Sequence, residues 1–316
     1  MSRECTKQRR QCTAEPVRAS LRVALLVICA AVLVSNLAGP AYAQRAVHSG
    51  VNAKQLKLPT ERIQDRVFRS ESLAREMHYR ILLPADYSRS ARSYPVLYLL
   101  HGWHGDYKNW TTLTDLTHYA ENLPIIIVMP DANDSWYVNS ATNVQEKFEQ
   151  YIIRDLIAEV DQRWRTLRSA HRRAIAGLSM GGYGAVKFAL KYPGTFAIAG
   201  SISGAFNATD TELAASRADL APSLDTAFGA PNSTVRAEND VYAAAARAVR
   251  AATPYLYLDC GTWDVSFVES NRKLVSDLSK TNLAYEYHET PGAHTWEYWD
   301  TRLPNLLAAV VKKIAD

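Results

Sequence analysis

The sequence predicts an α/β fold: a mostly parallel central sheet with helices on both faces and a small helical insertion. Three observations predict it. Five short apolar runs, Val96–Leu100, Ile125–Met129, Arg173–Leu178, Phe196–Ser201 and Tyr255–Asp259, are continuous rather than alternating, the pattern of strands buried on both faces. Helical patterns separate them, and strand–helix alternation builds parallel sheets. The composition, 47% hydrophobic and 22% charged over 316 residues, belongs to a globular chain with an ordinary core, not to a disordered, collagen-like or disulfide-dense one.

The elements follow in order. Arg3, Lys7, Arg9, Arg10, Arg18 and Arg22 precede the apolar run Val23–Val34 and the small-residue site Ala41-Tyr42-Ala43. That arrangement predicts a secretory signal, residues 1–43, cleaved after Ala43; a membrane-spanning anchor would need about 20 apolar residues. The expected location is therefore secreted or periplasmic, with no stable membrane anchor after cleavage and a single catalytic domain over 44–316. The full chain carries 36 Lys+Arg against 32 Asp+Glu, a net charge of +4. Residues 1–43 hold six of those basic side chains and two of the acidic ones, so the remaining 273 residues hold 30 of each. A neutral surface gives no electrostatic case for nucleic acid or anionic membrane. Cys5, Cys12 and Cys29 leave with the signal, so Cys260 remains as the single thiol and no intrachain disulfide is expected.

Arg66–Ser70 and Met77–Leu83 read as a strand pair, the antiparallel edge of the sheet. After the strands at 96–100 and 125–129, a helix is predicted from Asn143, as N-cap with Glu146 three residues on, through Trp164. Phe148, Ile152, Leu156, Val160 and Trp164 recur every four residues as its buried stripe. The strand at 173–178 leads into a helical stretch, Tyr183–Lys191, ended by Tyr192-Pro193-Gly194. Residues 205–252 contain no strand-like run and are rich in Ala, Asp and Ser, so they predict a helical insertion; insertions at the carboxyl ends of parallel strands commonly shape a binding site. The alternating run Ala284–Glu289 and a final helix close the chain.

Chemistry concentrates at strand ends. Gly177-Leu178-Ser179-Met180-Gly181 fits G-x-S-x-G between a strand and a helix. This is the nucleophile elbow, whose turn is too tight for side chains two residues either side of the serine. The serine needs a base, and the base an orienting acid, each on a loop after a later strand. Of the two histidines beyond Ser179, His288 sits in an alternating strand, whereas His294 lies in the loop Pro291–Trp296 ahead of the last helix, which nominates His294. The acid is Asp264 or Asp259: Asp264 is favoured because it lies in the loop past the strand, leaving Asp259 to hold a turn by hydrogen bonds. The strand 96–100 ends in His101-Gly102-Trp103-His104, which nominates the backbone N–H groups of Trp103 and Met180 as oxyanion donors. His101-x-x-His104 lacks the glutamate and the helix of a zinc-binding H-E-x-x-H motif, so no metal is expected. Cys260 reads as a small buried residue. Trp136, Trp263 and Trp296 are candidate substrate-binding aromatics, with Trp103 and Tyr137 nearby.

The runs YLLHG (98–102), VMPD (128–131), IAGLSMGGYGA (175–185), LDCGTWD (258–264) and PGAHTWEYW (291–299) closely resemble, in this order, the esterase D-type branch of the α/β-hydrolases. That branch includes tributyrin-type, feruloyl and acetylxylan esterases, S-formylglutathione hydrolases, siderophore esterases and secreted mycolyltransferases. The resemblance runs from about Arg66 to Ile314, and DANDSWY (131–137) is most like the tributyrin-type members. It implies an α/β-hydrolase fold, Ser179 as nucleophile, His294 as base, Asp264 as acid, and Trp103 and Met180 as oxyanion donors. The expected activity is that of a secreted serine carboxylesterase acting on a small acyl or aryl ester or an acylated carbohydrate, with no cofactor. Two relatives within the family stand as alternatives, a mycolyltransferase-like acyltransferase and an S-formylglutathione hydrolase-like thioesterase. A third alternative is a non-catalytic binding protein on the same fold.

Overall fold

The computed structural model describes residues 61–250 and 253–315. The expected signal segment and its cleavage point after Ala43 lie outside the described residues. Eight strands form one sheet in the order β1-β2-β4-β3-β5-β6-β7-β8. Here β1 is Ile63–Ser70, β2 Arg75–Leu82, β3 Val96–Leu100, β4 Ile126–Pro130, β5 Arg173–Leu178, β6 Ile198–Ile202, β7 Tyr255–Gly261 and β8 Tyr285–Thr290. Strands β1 and β2 pair antiparallel, as does β2 with β4, and every pairing from β4 through β8 is parallel. The edge hairpin and the parallel body are those the sequence predicts, with β3 and β5 as expected and the other strand ends moved by at most three residues.

The continuous apolar runs follow from burial on both faces. Along β3, Val96, Tyr98 and Leu100 face one core layer, and Leu97 and Leu99 face the other, where Leu303, Leu306 and Val310 of the last helix cover them. Side chains alternate across the sheet, so a strand covered on both sides needs an apolar residue at every position.

The helix expected from Asn143 to Trp164 is shorter and changes character. Helix α1 runs as an α-helical turn over Phe148–Gln150, a π-helical stretch over Tyr151–Leu156 and an α-helix over Ile157–Arg163. Asn143 does not cap it, and Glu146 pairs with Arg75 (2.8 Å) instead of closing a capping box. Trp164 is extended and donates its indole N–H to the Tyr79 hydroxyl. The strict four-residue stripe explains the wide turns. In a regular α-helix, positions four apart drift by about 40° per step, and a π segment turns back that drift, keeping Phe148, Ile152, Leu156 and Val160 buried.

Helix α2, Met180–Lys191, leaves the elbow, and its Lys187 is buried. The ammonium pairs with Glu149 (2.8 Å), which also takes Lys191 (2.8 Å) and the Tyr192 hydroxyl (2.6 Å). Burial opposes ionisation of Glu149, but the Lys187 charge and the hydrogen bonds from Lys187, Lys191 and Tyr192 outweigh it and pull its pKa from 4.5 to about 2. Between those values the unfolded chain binds a proton that the folded chain refuses. The stabilisation from Glu149 is therefore complete above pH 4.5 and is lost as pH falls through about 2, while burial works against the Lys187 charge and lowers its pKa to about 8. Glu149→Gln is expected to cost about 3–5 kcal/mol at pH 7 by stranding Lys187 and to flatten the acid limb of stability. Urea denaturation at pH 7 and pH 3 checks both; an unchanged midpoint at pH 7 would contradict the assignment.

The insertion is helical, as expected. It comprises α3 Thr211–Ser216, α4 Ala221–Phe228, α5 Thr234–Glu238 and α6 Val241–Arg247. Helix α7, Val268–Leu278, follows β7, and α8, Trp296–Ile314, ends the described chain.

Candidate active site

Ser179 joins β5 to α2 with φ 52° and ψ −119°, a conformation costly for a residue with a side chain. Its surroundings enforce the turn. A Cβ at Gly177 would come 2.5 Å from the main-chain carbonyl carbon of Gly181, and one at Gly181 would come 2.5 Å from the carbonyl oxygens of Leu100 and His101. The Ser179 N–H donates to Ile202 O (3.0 Å), which ties the elbow to β6.

His294 lies in the loop between β8 and α8, with its ring against Phe267 and perpendicular to Trp299. Its Nε2 is 3.0 Å from Ser179 Oγ, and its Nδ1 is 2.7 Å from Asp264 Oδ2. The Asp264 carboxylate is fully buried and also accepts the Phe267 N–H (3.2 Å). A carboxylate can only accept from Nδ1–H, so the proton sits on Nδ1 and leaves Nε2 as the acceptor facing the serine hydroxyl. Two main-chain bonds join the loops that carry the acid and the histidine, Thr262 N–H to Thr290 O and Trp263 N–H to Gly292 O, each 2.9 Å.

Asp259 occupies a different place. It lies within β7 and takes the Tyr298 hydroxyl (2.5 Å) and Arg302 Nε (2.7 Å), one turn apart on α8. It anchors the helix that follows His294 and does not touch the imidazole. His288 sits on β8 against Tyr257 and Glu286.

Gly102 brings the end of β3 beside the elbow; a Cβ there would lie 3.4 Å from Ser179 Cβ. Met180 opens α2, so its N–H has no partner within the helix. Among the described residues, the Trp103 N–H has no protein acceptor either. Both ring nitrogens of His101 are engaged by main chain: Nδ1–H donates to Gly102 O (2.7 Å), and Nε2 accepts from Ala132 N–H (3.0 Å). His104 is exposed.

The model of the "Putative esterase" family matches residues 70–310. The chain belongs to the esterase family. An esterase of Mycobacterium tuberculosis is 34% identical over 243 residues, 68% of this chain and 52% of that one; the chain thus spans about half the length of that relative. An acetyl esterase of Caldicellulosiruptor saccharolyticus is 26% identical over 217 residues, covering 66% of this chain and 80% of its own. Among solved structures, the Staphylococcus aureus fluorophosphonate-binding serine hydrolase F superposes with a TM-score of 0.70 at 27% identity, over 80% of this chain and 98% of that one. The fold is the α/β-hydrolase fold.

Within this esterase-family chain, one of the three tryptophans expected to contact substrate, Trp136, is buried away from any ligand. Trp136 is 1% exposed, packed against Tyr183 and Phe228, and donates to Ser223 Oγ of α4 (3.1 Å); it pins the insertion to the body. Trp296 is half-buried on the first turn of α8, edge-on to Trp110 and Trp299. Trp136 fills the core, and a core's demand for bulk cannot be told from a binding role in a linear sequence. Trp263 is 66% exposed beside Asp264 and is free to meet a ligand. Cys260 is buried, 3.9 Å from Asp264 Oδ2, and burial pushes its thiol pKa up, away from reactivity. In the insertion, Arg217 reaches Ser266 in the acid loop (3.2 Å). A cleft of about 450 Å³ opens between the 133–148 segment and α4, lined by Asn133, Asp134, Val138, Asn143, Pro222 and Thr226 among others.

Proposed function

We propose that the chain is a serine carboxylesterase working through an acyl-serine intermediate, with Ser179 as nucleophile, His294 as base and Asp264 as the acid that orients it. The observation that carries this reading is the hydrogen-bonded relay of 3.0 and 2.7 Å from Ser179 through His294 to Asp264, set on a strained elbow. His294 Nε2 takes the hydroxyl proton as Oγ attacks the ester carbonyl. The resulting imidazolium is stabilised by Asp264 and returns its proton to the departing alcohol. Water, activated by the same imidazole, then cleaves the acyl-enzyme and restores Ser179. The N–H groups of Trp103 and Met180 stabilise the tetrahedral oxyanion.

The substrate we propose is a neutral ester of a small acyl or aryl acid, an acylated carbohydrate included. No cleft-lining residue is cationic, and Glu146 there is neutralised by Arg75. Asp134, on the cleft wall, accepts the His104 N–H (2.6 Å) one residue past the proposed oxyanion donor. Ser179, Asp264 and His294 do not line this cleft, which adjoins the donor loop through Asp134; an alcohol portion reaching it would meet hydroxyls, amides and carboxylates, a setting that favours neutral alcohols over anionic ones. Export to the periplasm or medium, resting on the 1–43 segment, completes the proposal.

A fluorophosphonate probe tests the nucleophile. Labelling is expected at Ser179 alone, mapped by peptide mass spectrometry, and lost on prior incubation with excess ester. A chain that hydrolyses no p-nitrophenyl acetate and takes no label would be a binding protein on a hydrolase fold.

A further inference from the structure

Among the described residues, the oxyanion donor on Trp103 has no hydrogen-bond partner of its own, so something else must aim it. An unpaired N–H at the end of a strand gains by rotating toward any acceptor, and each such rotation would empty the oxyanion site. In a trans peptide, the C=O and N–H lie in one plane and point opposite ways. Aiming Trp103 N–H therefore means holding the Gly102 carbonyl. That carbonyl accepts from His101 Nδ1–H (2.7 Å) and from Gly105 N–H (3.0 Å). The preceding carbonyl, that of His101, accepts from the Tyr137 hydroxyl (2.9 Å).

Tyr137 is itself held with unusual force. It is wholly buried, and both it and Trp136 adopt positive φ, 56° and 54°, at a cost that only strong surrounding contacts sustain. Its ring lies over Gly184 of α2, where a Cβ would come within 2.8 Å of a ring carbon. Its carbonyl accepts from the Lys187 ammonium, whose second partner is Glu149. Lys187 lies eight residues beyond Ser179 on the same helix, about 12 Å along its axis. The helix that starts at the nucleophile thus also carries the ammonium that fixes Tyr137.

We propose that Tyr137 is a positioning residue for the oxyanion donor, its hydroxyl holding the His101–Gly102 backbone in the orientation that aims Trp103 N–H, with the buried Lys187–Glu149 pair fixing Tyr137 in turn. This rests on the serine esterase reading above. The pair is costly to bury for stability alone, and its connection to the end of β3 supplies a role for it.

Tyr137→Phe tests this, because it removes the hydroxyl and keeps the ring over Gly184. On p-nitrophenyl acetate, kcat is expected to fall about 10- to 100-fold, part of the roughly 10²–10³-fold loss seen when an oxyanion donor is deleted outright, while KM changes little. Affinity for phenylboronic acid, which forms a tetrahedral adduct on the serine, should weaken in proportion. The matched control is Tyr183→Phe. Its hydroxyl is also buried and also donates to a backbone carbonyl, that of Asn239 (2.9 Å), but in the insertion. Tyr183→Phe should lose comparable thermal stability and keep its kcat.

A Tyr137→Phe enzyme within twofold of the wild-type kcat would overturn the proposal, as would an equal kcat loss in Tyr183→Phe. Should Tyr137→Phe fail to accumulate, the double replacement Glu149→Met with Lys187→Met frees the Tyr137 carbonyl without stranding a charge, and an unchanged kcat there is equally fatal. A wild-type chain with no esterase activity and no fluorophosphonate labelling would instead remove the reading beneath the proposal.

Discussion

Replacing Ser179 by alanine is expected to lower kcat on p-nitrophenyl acetate by about 10⁴-fold or more while the chain stays folded. The hydroxyl is the one group 3.0 Å from His294 Nε2 in this relay, and no neighbouring side chain replaces it: the Cys260 thiol is buried and held protonated. A second substitution separates chemistry from strain. At φ 52° and ψ −119°, any side chain at position 179 is held in a costly conformation. Ser179→Gly should therefore be as inactive as Ser179→Ala but more stable than it, by about 1 kcal/mol. Steady-state kinetics and thermal melts check the pair. Full activity in Ser179→Ala would remove the nucleophile assignment; an alanine variant as stable as the glycine one would remove the strain.

The second large effect divides two aspartates five residues apart. Asp264→Asn is expected to reduce kcat by about 10⁴-fold, because the amide no longer selects the Nδ1–H tautomer of His294, with a small change in stability. Asp259→Asn should do the opposite. It removes the charge facing Arg302, whose guanidinium is mostly buried, and weakens the bond from Tyr298. The expected cost is about 3–5 kcal/mol of stability, with the kcat of the molecules that remain folded reduced far less than in Asp264→Asn. Kinetics at a temperature well below both melting points, beside urea midpoints, reads the two effects separately. If the roles came out reversed, Asp259 would be the acid.

These two aspartates also show how far a linear reading reaches. The elbow was legible because its motif is contiguous and a strand and a helix flank it in the chain; the clash that keeps Gly177 small is local, with Gly181, whereas Gly181 is kept small by the Leu100 and His101 carbonyls at the end of β3. The parallel sheet was legible because burial on both faces leaves runs with no polar member. His294 was legible because a single histidine after Ser179 lies in a loop past a strand. For the acid, Asp264 was favoured over Asp259 only by its place past the strand, since the two share one strand end. Their difference lies in what faces them: Tyr298 and Arg302 on one side, His294 on the other. Trp136 was misjudged for the same reason, as core bulk and pocket lining use one residue type. The Asn143 cap failed because Glu146 found Arg75, a residue 71 positions away, ahead of a helix N-terminus.

Element type, sheet direction and the serine at the strand–helix elbow thus belong to the chain read alone, being set by period, glycine placement and flanking elements. The pairings that give each polar group its work belong to the folded molecule. Asp264 meets His294 across 30 residues and Ser179 meets it across 115. The Tyr137 hydroxyl reaches His101 across 36, and Lys187 reaches Tyr137 across 50. A buried polar group takes whichever partner the packed sheet brings within about 3 Å, and sequence separation carries no record of that distance.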